Sequence, residues 1–293
     1  MNDTYKISGF TFVRNAIKFD YPIIEAITSI LPVCDELIVN VGKSEDETLD
    51  IIRTIDSDKI KIVESVWDDT VRTGGHILAR QTDIALSHCT GGWCFYIQAD
   101  EVVHEKYHPI ISEAVQKYHS DKRVEGLLFK YLHFYGGYSY IGTSRRWYRQ
   151  EVRIIRNHCG ISSYMDAQGF RRNKRKLNVK PIDAYVYHYG WVKHPEIQQK
   201  KQRSFSRFWH PDSWIKEHVG DADDYDYHAI DALEPFTGDH PAVMKQRIET
   251  KDWHFEYDPS ASRLYTPLKH RILNIVEKLT GYRIGEYKNF KII

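Results

Sequence analysis

The sequence predicts an α/β fold: a mainly parallel sheet with helices on both faces, followed by a mostly helical C-terminal extension. Apolar runs of strand length alternate with segments of helical spacing as far as Tyr118. The links between them are short, as in sheets wound by crossover helices. Beyond Pro195 the alternation gives way to helical patterning with long loops.

In order, Ile7–Arg14 reads as the first strand, and Ile23, Ile27, Ile30 and Leu31 share a helical face. Asp35–Val41 is the second strand, followed by a helix carrying Thr48, Ile51, Ile52 and Ile55. Lys59–Trp67 is the third, and Ile77, Gln81, Ile84, Ala85 and His88 follow one side of the next helix. Gly91-Gly92 stops that helix before the fourth strand, Trp93–Gln98. Ile110, Ile111, Ala114, Val115 and Tyr118 mark another helix. Val124–His133 and Glu151–Arg156 read as strands, then a polar, basic loop runs through Lys176 to a last strand, Tyr185–Trp191. Pro241 suits the first turn of a later helix. Residues 1–191 read as one domain, with 192–293 packed on it as an extension.

At 293 residues the chain can bury a sizeable core. Charged residues make up 28% and nearly cancel, to +1, which argues against a nucleic-acid partner. The 4 cysteines form no C-x-x-C pair, so neither a zinc site nor a disulfide framework is expected, and reduced thiols suggest the cytoplasm. There is no basic-then-apolar leader, and no apolar run nears the roughly 20 residues of a membrane span. Any membrane association is therefore expected to be peripheral, at the inner face.

Sheets of this kind bind ligands at the carboxyl ends of their strands. Those ends carry Arg14-Asn15, Gly42–Glu47, Asp68-Asp69 and Gln98–Glu101. The last is the most informative, because an apolar strand opens straight into an acidic cluster that calls for a positive partner. No GxGxxG, GxxxxGK[ST] or GxSxG is present, which removes dinucleotide-binding, P-loop and hydrolase readings. A nucleotide sugar held through a divalent cation needs no glycine-rich loop, and hard oxygen ligands suit Mn²⁺ or Mg²⁺.

Several segments, in order, carry a resemblance. Ser8–Asn15 (SGFTFVRN), Ser44–Thr48 (SEDET), Ala79-Arg80-Gln81 and Gly92–Glu101 (GWCFYIQADE) resemble the first strand, the S-T-D-G-T loop, the A-R-N segment and the D-A-D-E motif of glycosyltransferase family 2. The match covers residues 7–105 and extends more loosely to about 190. Pro235–Ile248 and the final GYRIGEYKNFKI look like the tail of bacterial polysaccharide- and lipopolysaccharide-type members. The resemblance implies a GT-A-like, Rossmann-type fold, with a nucleotide-sugar half to about residue 105 and an acceptor half from there to 191.

It also implies roles. Asp100 would bind the metal, joined by Glu101 and by His188 from the late strand YVYHYGW. Arg14, Asn15, Asp46, Arg80 and Gln98 would meet the donor. Asp46 also lies in a capping box, Ser44…Glu47, and Arg80 also reads as a surface residue. Gln98 replaces the family's first aspartate, and Val41-Gly42 stand where acids often read the base. Asp166 is the candidate base, by likeness to a v-H-E segment, with Glu151 and Asp183 as competitors. Asp221-Ala222-Asp223 also spells D-x-D, but no strand feeds it, so Asp221–Asp226 reads as a solvated loop. Arg171–Lys176 reads as a solvated face, the alternative being a lid. Leu268–Leu279 is expected to pack on the domain rather than on a membrane.

The reading is an inverting, metal-dependent glycosyltransferase. Its donor is a nucleotide sugar and its acceptor a carbohydrate or glycolipid hydroxyl, in cell-surface polysaccharide or glycoconjugate synthesis. A sugar-nucleotide pyrophosphorylase would want a glycine-rich, basic loop after the first strand. A non-catalytic nucleotide-sugar-binding relative is kept open by Gln98.

Overall fold

The computed structural model describes residues 5–220, 222–260 and 268–293. Four strands, β1 (Ile7–Val13), β2 (Glu36–Gly42), β3 (Ile60–Ser65) and β4 (Trp93–Tyr96), lie parallel in the order β3-β2-β1-β4. Helices α1 (Ile23–Ile30), α2 (Thr48–Arg53), α3 (His76–Ser87) and α4 (His108–Tyr118) connect or follow them. Ile23, Ile27 and Ile30 of α1 pack one face, and Ile77, Leu78 and Ala85 of α3 pack the other. Every residue of β2 is buried, as in strands covered on both faces, and Leu37, Ile38, Val39 and Val41 supply its apolar run.

Past β4 the sheet becomes mixed. The Gln98–Asp100 turn leads into β5 (Glu101–Val103), a short strand not expected from the sequence. After β6 (Gly126–Tyr135) and β7 (Tyr140–Gly142), β8 (Gln150–Arg156) inserts antiparallel between β4 and β6. The basic stretch read as a loop folds instead as a small antiparallel sheet of β9 (Ile161–Tyr164), β10 (Gly169–Arg172) and β11 (Arg175–Lys176). Arg172 and Arg175 bond the Glu125 carboxylate at 2.6 and 2.7 Å, and Arg171 lies 4.2 Å from the Tyr164 ring centre, contacts that favour the surface reading over the lid. The 14-residue β12 (Asn178–Trp191) runs parallel to β6 and antiparallel to β5.

The C-terminal part holds α5 (Pro195–Ser206), α6 (Asp212–His218), β13 (Leu233–Pro235), α7 (Lys245–Glu249), α8 (Leu268–Thr280) and β14 (Lys291–Ile292). It is knitted into the sheet, with β13 on β7 and β14 on β12. Pro241 precedes a helical turn at Ala242–Met244 that leads into α7. Asp221 lies outside the described residues, and residues 222–226 form a loop. α8 docks on the domain through one side, where Glu277 pairs with Arg145 and Arg149, and leaves Leu268, Ile272, Ile275 and Leu279 exposed. Among the described residues no helix is long and apolar enough to cross a membrane.

Candidate functional site

A cleft of about 590 Å³ opens at the carboxyl ends of β1 and β4. Its floor carries Gln98, Ala99 and Asp100, one wall Phe12, Arg14, Asn15 and Trp67, and the facing wall Lys200, Lys201, Ser204, Phe205 and Phe208 of α5 and the residues after it.

The turn after β4 decides which acid faces the cleft. The Glu101 amide donates to the Gln98 carbonyl at 3.1 Å, closing a tight reversal. The Gln98 amide donates to Glu101 Oε2 at 3.1 Å. Neighbouring side chains then point in opposite directions: Asp100 lines the cleft, and Glu101 enters the core. Glu101 is fully buried, accepts both arms of the buried Arg153 guanidinium at 2.7 and 2.8 Å, and accepts the Tyr131 hydroxyl at 2.8 Å. This corrects the expected metal role, because these bonds commit both carboxylate oxygens to holding the turn. Breaking a buried ion pair costs about 3–5 kcal/mol. Glu101→Gln is therefore expected to lower unfolding stability by about that much in urea titration, while the folded fraction keeps its nucleotide affinity.

Asp100 meets His188, which the antiparallel register of β12 on β5 places opposite Glu101. Asp100 Oδ1 and His188 Nε2 are 3.8 Å apart. The hydrogen-bond chain behind His188 assigns its tautomer. The Tyr148 carbonyl can only accept, so His133 Nε2, at 2.7 Å, carries the proton. His133 Nδ1 then accepts from His188 Nδ1–H at 3.1 Å, which leaves the His188 Nε2 lone pair facing Asp100. Burial lowers the pKa of both imidazoles and keeps them neutral, against the pull of Asp100 on His188. Burial would raise the pKa of Asp100, but the ammonium groups of Lys201 and then Lys193 hold it well below the usual carboxylate range.

Two electron-pair donors facing each other call for a cation. Lys201 supplies one, donating to Asp100 Oδ2 at 3.2 Å and to the Gly190 carbonyl at 2.9 Å. Lys193 is fully buried behind it, with its pKa pushed down to about 7, first by burial and then by Lys201. Position 190 admits only glycine, since a Cβ there would lie 2.7 Å from both Asp100 Oδ2 and His188 Nε2. A carboxylate and an oriented imidazole suit Mn²⁺ or Mg²⁺. Among the described residues no group of three or more His, Cys, Asp or Glu could hold a metal, so the remaining ligands would come from the donor and water.

The expected donor-binding residues divide. Arg14 lines the cleft, paired with Asp69 at 2.6 Å and 5.5 Å from the Trp67 ring centre. Asn15 adopts φ +57° at the end of β1, and its Oδ1 accepts from the Glu45 amide at 2.8 Å, tying two rim loops together. Gln98 lies on the floor and donates to the Ala167 carbonyl at 3.3 Å. Asp46 and Arg80 are not brought into the cleft. Asp46 accepts from the Lys18 amide at 2.7 Å and from the amide and hydroxyl of Thr48, so it braces the start of α2 in place of the expected Ser44…Glu47 box. Arg80 is exposed on the outer face of α3, 3.9 Å from Asp68.

Asp166 lines the cleft at the tip of the β9–β10 hairpin, between Met165 and Ala167, both at positive φ. Its competitors are not on the cleft lining. Glu151 is buried, accepts from Gln168 at 3.0 Å, and is pushed up to about 7 by that burial. Asp183 pairs with Lys130 at 2.6 Å on the surface.

Sequence reasoning missed Trp67 and the α5 wall. Trp67 lies over Gly42, where a Cβ would come within 2.3 Å of the indole nitrogen. The glycine at the position of a base-reading acid thus makes room for a ring. Trp67 packs at a tilt against Phe12 and Phe208, each ring centre 5.8 Å away. The α5 wall had a signal: Lys201, Ser204, Phe205 and Phe208 fall at helical spacing in QKKQRSFSRFW.

No protein-family profile and no curated protein sequence matches the chain. Solved structures overlap it in part. TarS from S. aureus (residues 1–349, in complex with UDP) aligns at 16% identity over 68% of this chain and 63% of that one, with a TM-score of 0.43. The full TarS structure aligns over 38% of its own length. The mannosyltransferase PcManGT from Pyrobaculum calidifontis, in complex with GDP-Man and Mn²⁺, gives 21% identity over 42% of this chain and 34% of that one, TM-score 0.32. Glucosyl-3-phosphoglycerate synthase from Mycobacterium tuberculosis, in complex with Mn²⁺, UDP and phosphoglyceric acid, gives 26% over 44% and 43%, TM-score 0.29. The chain thus spans less than two thirds of the length of each of these structures.

Proposed function

We propose that the chain is a glycosyltransferase that moves a sugar, with inversion, from a nucleotide-sugar donor to a hydroxyl acceptor. The observation that carries this reading is the Asp100–His188 pair, with its lone pairs turned to one point at the end of β4 beside a wall of aromatic rings and cations. The rings of Trp67, Phe12 and Phe208 suit a nucleobase, and Arg14, Lys18 and Lys201 suit a diphosphate. Asp100 and His188 would hold Mn²⁺ or Mg²⁺, which supplies charge neutralisation to a leaving diphosphate. Asp166, on the hairpin at the cleft rim, takes the proton of the acceptor hydroxyl. Arg14 and Asn15 fill the bend after β1, where a pyrophosphorylase would want a glycine-rich loop.

Calorimetry with UDP, GDP, dTDP and CMP, with and without Mn²⁺, tests this. One nucleotide is expected to bind, more tightly with the metal; equal binding of none of them would remove the reading. Trp67→Ala is expected to weaken that binding by about ten-fold, since stacking on one base is worth about 1–3 kcal/mol.

A further inference from the structure

We infer that α8 is a docking face for an anionic lipid bilayer. Single exposed aliphatic side chains are ordinary on protein surfaces, but a row of them on one helix is not. Leu268, Ile272, Ile275 and Leu279 are 71%, 56%, 60% and 81% exposed. Their spacing puts all of them on one side of the helix. Tyr282 and Ile284, just beyond the helix, are 66% and 46% exposed.

The opposite side fixes this orientation. Glu277 is paired with Arg145 at 3.1 Å, Arg149 at 3.5 Å and Arg283 at 2.8 Å. Turning the helix to bury its aliphatic row would strip that carboxylate of its guanidinium partners. The apolar face therefore points outward as a consequence of the polar docking.

Charge selects the occupant. Along the helix the sequence carries Lys269, Arg271 and Lys278, and its single acid, Glu277, is already neutralised by its guanidinium partners on the docked side. Such a segment suits a surface that is both apolar and negative, as an acyl boundary under anionic headgroups is. A second copy of the chain fits less well, because pairing the face with itself would bring two basic segments together. The cleft lining includes no residue of α8, so this inference stands apart from the proposed activity.

Flotation of the full chain with phosphatidylcholine vesicles, with and without phosphatidylglycerol, tests it. Binding is expected only with phosphatidylglycerol, and it should weaken with salt. Ile272→Asp combined with Ile275→Asp is expected to cut the bound fraction about ten-fold or more, and Lys269→Glu to weaken it without touching the apolar row. UDP binding and melting temperature, unchanged in these variants, show that the fold and cleft are intact. No flotation of the wild type with anionic vesicles, or equal flotation of the double variant, overturns the inference. So does a wild-type dimer in sedimentation that the double variant disperses, which would assign the face to a second copy.

Discussion

Asp100→Asn is expected to lower sugar transfer at least about a thousand-fold and to abolish the metal-dependent part of nucleotide binding. The substitution keeps the size of the side chain and removes its charge. That charge is present near neutral pH, because the ammonium groups of Lys201 and Lys193 outweigh burial and hold the carboxyl ionised. In the variant, His188 Nε2 faces an amide, and the site no longer offers an anion to any cation. The fold should survive. Asp100 sits at the cleft, where Lys201 keeps its second partner, the Gly190 carbonyl. A stability loss of about 1–2 kcal/mol, read as a few degrees in melting temperature, is expected beside the loss of turnover. Full transfer activity in the folded variant would remove the mechanism.

The contrast between Asp100 and Glu101 shows what a sequence can and cannot tell. Strands β1–β4 and helices α1–α4 were legible because their burial leaves period and length in the residue pattern. The place of Asp100 on the cleft lining was legible because an apolar strand feeds it. Glu101 was misread because its partner, Arg153, lies 52 residues away, and local pattern holds no record of such a pair. Of the two readings of Arg80, the surface one was the more legible: Ile77, Leu78, Gln81, Thr82 and Ala85 are buried, and Arg80 lies on the far side of their helix. The basic run of β10 and β11 was ambiguous until Glu125 was seen beneath it. Asp166 was reached through the resemblance alone, and the one-sided spacing of Lys201, Ser204, Phe205 and Phe208 does not say which surface their helix covers; the folded sheet puts both on the cleft lining.

Lys201→Met should separate two roles that one ammonium plays. On the donor side, Lys201 lies in the cleft wall within reach of a leaving diphosphate, and removing it is expected to cost about 10²–10³-fold in turnover, the range found when one preorganised donor is lost. On the protein side, it neutralises Asp100 when no donor is bound, at 3.2 Å. Unit charges about 4 Å apart in a partly buried site interact by about 4 kcal/mol, so the ammonium opposes any divalent ion that shares this carboxylate. Met keeps all but the last atom of the side chain's length and an apolar surface toward Tyr21, whose ring centre lies 4.9 Å from the lysine nitrogen, while the charge and its opposition disappear. Binding of Mn²⁺ without nucleotide, followed by electron paramagnetic resonance, should therefore tighten by about ten-fold as turnover falls, even after heavy discounting for solvent screening. A purely structural lysine would move both quantities in the same direction, and a lysine that serves only the diphosphate would leave ion binding unchanged. Only a cation that holds the site until the donor arrives makes the two readings diverge.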